Sequence, residues 1–151
     1  MYDRQNNKAL AQAKNIYDLD RTDLASRYWL AYVYCANKMY PEVTALYEGK
    51  SDKAASQILV GPAAFAYAKA GRRADAEALL KTVGSDSGMM RFIAALIYTA
   101  EGEKDKAFAE LDTACSMKDG SLIDFKVDPY FYDLQDDPRF AALVKRMNLP
   151  Q

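Results

Sequence analysis

The sequence predicts an all-α fold of helix hairpins stacked side by side, and three observations carry that prediction. Alanine is abundant and segments rich in β-branched residues are nearly absent, a mix that favours helix over strand. Tyr34, Tyr67 and Tyr98 recur at intervals of 33 and 31 residues, opening the similar stretches YCANKMYPEVTALYEGK, YAKAGRRADAEALLKTV and YTAEGEKDKAFAELDTA. The positions after each tyrosine also match in kind. Lys38, Gly71 and Gly102 stand four residues on, Val43, Ala76 and Ala107 nine on, and Tyr47, Leu80 and Leu111 thirteen on. A glycine just past a helix end takes the left-handed conformation that satisfies the last carbonyls. The small residue lets two antiparallel helices approach, and the larger apolar one fills the gap beyond. Lys38 breaks the glycine pattern and makes the first turn the weakest of the three.

Taken in order, residues 5–19 read as one amphipathic helix with Ala9, Leu10, Ala13, Ile16 and Tyr17 on one face. In register this is the second half of a hairpin, so either a chain cut from a longer protein or a simple capping helix is expected, the former preferred. Residues 24–50 form the first hairpin. Thr22 or Asp23 caps a helix running to about Asn37, whose stretch RYWLAYVY is apolar almost all round, as in a helix sandwiched between neighbours. Pro41 suits the first turn of its partner, and Lys50 to Gln57 is a connection or an extra turn. Residues 57–83 form the second hairpin, with Pro62 opening its first helix and Ala76, Leu79, Leu80 and Val83 on one face of its second. Gly84 to Gly88 is the clearest loop. The third hairpin, 88–118, starts with MMRFIAALIY and presents Ala107, Phe108, Leu111, Ala114 and Cys115 inward. Residues 119–149 change pattern. Asp128-Pro129 and Asp137-Pro138 each place an aspartate cap before a proline at the first helical position, and Phe140, Leu143, Val144 and Met147 form the last apolar stripe. Such a tail can close the open end of a stack.

The repeated frame resembles the tetratricopeptide repeat, whose period is roughly 34 residues. Leu30-Ala31, Ala63-Ala64 and Ala94-Ala95 sit where that family has its pair before the tyrosine, whereas Arg27, Val60 and Arg91 replace its first-helix tryptophan. The tail is similar to the ending that closes tetratricopeptide regions of bacterial multidomain regulators, through Lys126, Asp128, Pro129, Phe131, Leu134 and Asp137 to Phe140. Those regulators include winged-helix transcription regulators of the CadC type, receptor-like serine/threonine kinases and adenylate cyclases. The resemblance covers about residues 9 to 149. It implies a right-handed α-α superhelix acting as an accessory domain, in the cytoplasm, or in the periplasm if the parent is membrane-anchored.

Composition narrows the functions. Twenty basic against twenty-one acidic residues, a net charge of -1, argue against a nucleic-acid surface. No apolar run reaches the roughly 18 residues that span a bilayer. The chain has no histidine, the commonest general base and nitrogen metal ligand. Cys35 and Cys115 fall in different hairpins, too far apart to bridge. The six aspartates between Asp119 and Asp137 lack the alternating calcium-loop pattern, and two of them are helix caps. No nucleophile elbow, phosphate loop or dinucleotide fingerprint is present. Neither an enzyme, nor a cofactor, nor a metal is expected.

What remains is a surface. The resemblance implies that the first helices of successive hairpins line a concave face, and the family's positions carry over to Tyr28 and Tyr32, Phe65 and Lys69, and Phe92 and Leu96. This aromatic groove with one cation departs from the Lys- and Asn-rich clamp that holds peptide carboxylates. It suits an apolar segment of a protein or peptide partner, or a second copy. Two alternatives stay open: the tail or the N-terminal helix fills the groove, or a small-molecule pocket lies beneath the tail and signals to a missing effector.

Overall fold

The computed structural model describes residues 2–48, 57–84 and 86–147, with side chains from residue 7 onward. All regular structure among the described residues is helical. Eight α-helices are described: α1 (Tyr2–Leu19), α2 (Leu24–Ala36), α3 (Tyr40–Glu48), α4 (Val60–Lys69), α5 (Arg73–Thr82), α6 (Gly88–Ala100), α7 (Lys104–Ser116) and α8 (Pro138–Arg146). Two 3-10 segments, Gly120–Leu122 and Pro129–Leu134, lie between α7 and α8. The connection from Lys50 to Gln57 falls almost wholly outside the described residues, as does Ser85 in the loop before α6.

Three hairpins, α2–α3, α4–α5 and α6–α7, follow one another, and the same cap turns each of them. The Met39, Arg72 and Glu103 N–H groups reach back to the Tyr34, Tyr67 and Tyr98 carbonyls at 2.9, 2.8 and 2.9 Å. Inside each loop Lys38, Gly71 and Gly102 donate to Cys35, Ala68 and Thr99 at 3.0, 3.0 and 3.1 Å. This pair of bonds is the Schellman closure, and it requires a left-handed residue at its centre. Lys38 (φ 59°) adopts it like Gly71 (φ 75°) and Gly102 (φ 77°), so the lysine leaves the turn geometry unchanged. The recurring tyrosine therefore supplies the carbonyl that ends each leading helix.

Val43, Ala76 and Ala107 are buried where the paired helices meet, with Leu111 beyond them and Tyr47 and Leu80 half-buried. The leading helices form a row: α4 packs on both α2 and α6, while α3 and α5 each pack on the leading helix that follows. One continuous core runs from Ala31 in α2 to Val144 in α8. At the other end, α1 packs on α2 through Leu10, Ala13 and Tyr17, while Ala9 and Ile16 stay exposed, against the five-residue stripe expected.

The caps follow the local chemistry. Asp23 accepts from Ser26 N–H at 2.7 Å and Ser87 from Met90 N–H at 3.1 Å. Asp128 and Asp137 accept from Tyr130 and Arg139 N–H, both at 3.0 Å. The Asp128-Pro129 signal starts a 3-10 segment rather than an α-helix, and α4 starts at Val60, ahead of Pro62. Two arginines of α8 fix the tail to α7: Arg139 pairs with Asp105 at 2.8 Å and covers the Phe108 ring, and Arg146 pairs with Asp112 at 2.5 Å.

Since a β-carbon at Gly71 or Gly102 meets nothing within 4 Å, the backbone alone sets the price of replacing either. Gly71→Ala and Gly102→Ala are expected to destabilise by about 1 kcal/mol each, and Lys38→Gly to stabilise by up to a similar amount. Urea unfolding of the three variants beside the parent measures both signs.

Candidate binding site

Tyr28 and Tyr32 stand one turn apart on α2, with ring centroids 6.5 Å apart. Trp29 lies between them in sequence and stacks on Tyr32 at 5.2 Å and 8°. Facing this aromatic ledge is the tail. Tyr130 packs edge-on against Tyr32 at 5.8 Å and tilts against Phe65 of α4 at 4.9 Å. Phe131 meets Phe92 of α6 edge-on at 5.7 Å. Lys69 lies over the Phe65 ring and pairs with Asp133 of the same segment at 3.1 Å.

The six predicted residues thus share one wall but divide between two duties. Phe65 and Lys69 form a socket for the tail, and Phe65 is buried there. That part of the expected groove is filled by the chain's own Pro129–Leu134 segment, which takes the Tyr130 and Phe131 rings out of water. Tyr28, Tyr32, Phe92 and Leu96 line a cavity of about 790 Å³ between α2, α4, α6 and the tail, and Tyr32 and Phe92 touch the tail rings as well. Its size falls in the range of ligand pockets, roughly 300–1,000 Å³. Trp29, Ile58, Met89 and Val127 add apolar wall, and Asp124 and Asp128 add carboxylates.

Two shaping residues lie outside the sequence prediction. Trp29 is 53% exposed in a helix that is apolar almost all round, so its sequence neighbours hide which face it takes. A tryptophan that escapes burial beside two tyrosines is the one signal that could have found it. Asp128 reads from sequence as a cap, and it is one, yet it is only 5% exposed and stands in the cavity wall. Its Oδ1 takes the Tyr130 N–H, which favours ionisation, but burial dominates and pushes the carboxyl up to about 7. Burial likewise raises the hydroxyls of Tyr28, Tyr32 and Tyr130, with the Asp128 charge adding to each. Cys35, buried beside Tyr130, is pushed up to about 12 and is a poor nucleophile. Cys35 and Cys115 are both free thiols.

Among the described residues, no three His, Cys, Asp or Glu side chains gather as a metal site needs, and no helix is long and apolar enough to cross a membrane. No family model, curated protein or solved structure matches this chain.

Two measurements separate socket from cavity. Phe65→Ala is expected to destabilise by about 3–4 kcal/mol in urea, the scale of a buried phenylalanine, whereas Tyr28→Ala changes stability far less. For Asp128 the folded carboxyl titrates above the ordinary 3.8, so the ionised form is disfavoured by folding and stability falls as pH rises from about 4 to about 7. Asp128→Asn keeps a capping side chain and removes that loss. It is expected to match the parent near pH 4 and to exceed it above pH 7, by on the order of 1.4 kcal/mol per pH unit between the two pKa values.

Proposed function

We propose that this chain is a non-enzymatic protein-interaction module, in which the three hairpins act as tetratricopeptide-like units of a right-handed superhelix and the tail caps it. Its binding site is the cavity between the leading helices and the tail, and its ligand is a short apolar segment of a partner protein. The observation that carries this reading is the ledge of Tyr28, Trp29 and Tyr32. Three aromatic side chains of one helix stay partly exposed beside a largely apolar cavity, although other residues of the same helix are buried in the core. Exposed aromatic clusters of this kind mark interaction sites, and Tyr and Trp are the commonest anchors of protein interfaces. The shared turn geometry supports the repeat reading, as does the row of leading helices. As an accessory domain of a bacterial regulatory or signalling protein, such a module would dock a partner and leave output to another part of the parent.

A second reading has one observation in its favour. The tail closes over the site, so the space is nearer the size of a small molecule than of a whole helix. A ligand-sensing domain coupled to an effector follows if small molecules alone fill it.

The module reading is tested by selecting binders from a random dodecapeptide display library and measuring their affinity for the parent and for Tyr28→Ala and Trp29→Ala. Selected peptides are expected to lose at least tenfold in affinity with either variant, while both variants keep the parent's melting temperature within a few degrees. Peptides indifferent to both substitutions, together with a small-molecule library that raises the melting temperature with no peptide present, would move the conclusion to the second reading.

A further inference from the structure

The cavity has a sign. Of its charged lining residues, both that are described, Asp124 and Asp128, are acidic, and no lysine or arginine among the described residues lines it. The neighbouring cations are engaged elsewhere: Lys69 of α4 with Asp133, and Arg91 of α6 with Asp86 and Glu110. Lys126, two residues before Asp128, is not part of the lining. Around the two carboxylates stand the rings of Tyr28, Trp29, Tyr32 and Tyr130. Aromatic faces carry negative quadrupole charge and attract an ammonium or guanidinium group within about 6 Å, more strongly when the site is dry. A carboxylate behind such faces adds the full charge. The same surroundings repel an anion twice over.

We infer that the cavity accepts a positively charged side chain, a lysine or arginine that the partner segment presents within an apolar stretch, with the aromatic ledge around its stem and Asp128 as its counter-ion. This assignment rests on the cavity being the binding site and adds the charge of what enters. The long apolar stem of lysine or arginine suits the ledge, since these side chains lay their methylenes on apolar surface and keep the charge for a polar partner. Asp128 is well placed for that role: its cap bond occupies one oxygen, and Asp124, Tyr28, Tyr32, Tyr130 and the Cys35 thiol, none of them cationic, are among the groups that interact with it. A cation arriving there relieves the burial that disfavours the ionised carboxylate.

Trp29 is the sole tryptophan of the chain and lines the cavity, so its emission reports occupancy directly. The probes are three blocked tetrapeptide amides of leucine, phenylalanine, a variable residue and leucine, with lysine, norleucine or glutamate as the variable residue, and n-hexylammonium as a free cation. At pH 8.5 the lysine peptide is expected to bind at least tenfold tighter than the norleucine peptide and the glutamate peptide to bind weakest. The lysine preference is expected to shrink below threefold in Asp128→Asn, and in the parent as pH falls through about 7. Tyr28→Leu, which keeps apolar surface and removes a ring face, is expected to lower the affinity of the lysine peptide by a larger factor than that of the norleucine peptide. Equal affinity for the lysine and norleucine peptides overturns the charge assignment and leaves the apolar site standing. Hexylammonium binding as tightly as the lysine peptide overturns the partner segment as its source. No change in Trp29 emission with any probe overturns the site itself.

Discussion

Each leading helix in this chain ends when a backbone N–H turns back to a tyrosine carbonyl five residues upstream, and the rest of the architecture depends on that reversal. A helix terminus leaves several carbonyls without partners, and burying them unpaired would cost more than the hairpin gains. The closures at Tyr34, Tyr67 and Tyr98 satisfy those carbonyls and reverse the chain with the same pair of bonds each time. Ala114 repeats the device after α7, with Lys118 in the left-handed conformation. Each tyrosine ring then seals its own turn. A cation lies over all three: Lys14 over Tyr34, Arg72 over Tyr67 and Lys106 over Tyr98. Tyr67 also donates to Glu48 across the boundary between the first and second hairpins. Backbone geometry sets each turn, and at Tyr67 the ring hydroxyl also ties its hairpin to the one before.

The tail is where local economy gives way. Pro129–Leu134 lies across the row of leading helices and places Tyr130 and Phe131 against rings from α2, α4 and α6. Behind them Phe125 stacks on Phe140 at 4.5 Å and meets Phe131 at 5.0 Å, so the tail carries an aromatic core of its own. Closing the stack this way covers Phe65 and engages Lys69 in the row of leading helices. It also closes one side of the cavity, because the segment reaches from the Phe65 socket to α6 and meets the α2 ledge at Tyr32.

The periodic part of this architecture was legible in the sequence because it follows from local rules. Small residues at the ninth position, left-handed residues at the turns and aspartates before helices each act within a few residues of chain, and Val43, Gly102 and Asp23 all sit as read. The site was legible only in outline. Tyr28, Tyr32, Phe92 and Leu96 line the cavity, but Phe65 and Lys69 could not be told apart from them, since what separates the two groups is the path of a tail some sixty residues further on. The face taken by Trp29 and the burial of Asp128 have the same origin. Long-range packing decides them, and no window of neighbouring residues contains it.

Asp128 shows how one residue can serve the fold and strain against it. As a cap it stabilises the first turn of the tail by satisfying the Tyr130 N–H, a contribution on the order of 1 kcal/mol. As a buried carboxylate it opposes folding wherever it is ionised. Asparagine would cap as well without the charge, so stability alone gives no reason for an acid at this position. Asp137, the other tail cap, escapes the conflict: Arg139 holds its carboxyl down to about 2 at the surface. A chain that is locally consistent almost everywhere departs from its own rules beside a cavity ringed with exposed aromatics, and such departures gather where structure is spent on binding. The proposal that this carboxylate faces a partner's cation follows from that conflict, because a counter-ion is what turns the charge from a cost of the free domain into a contribution to the complex.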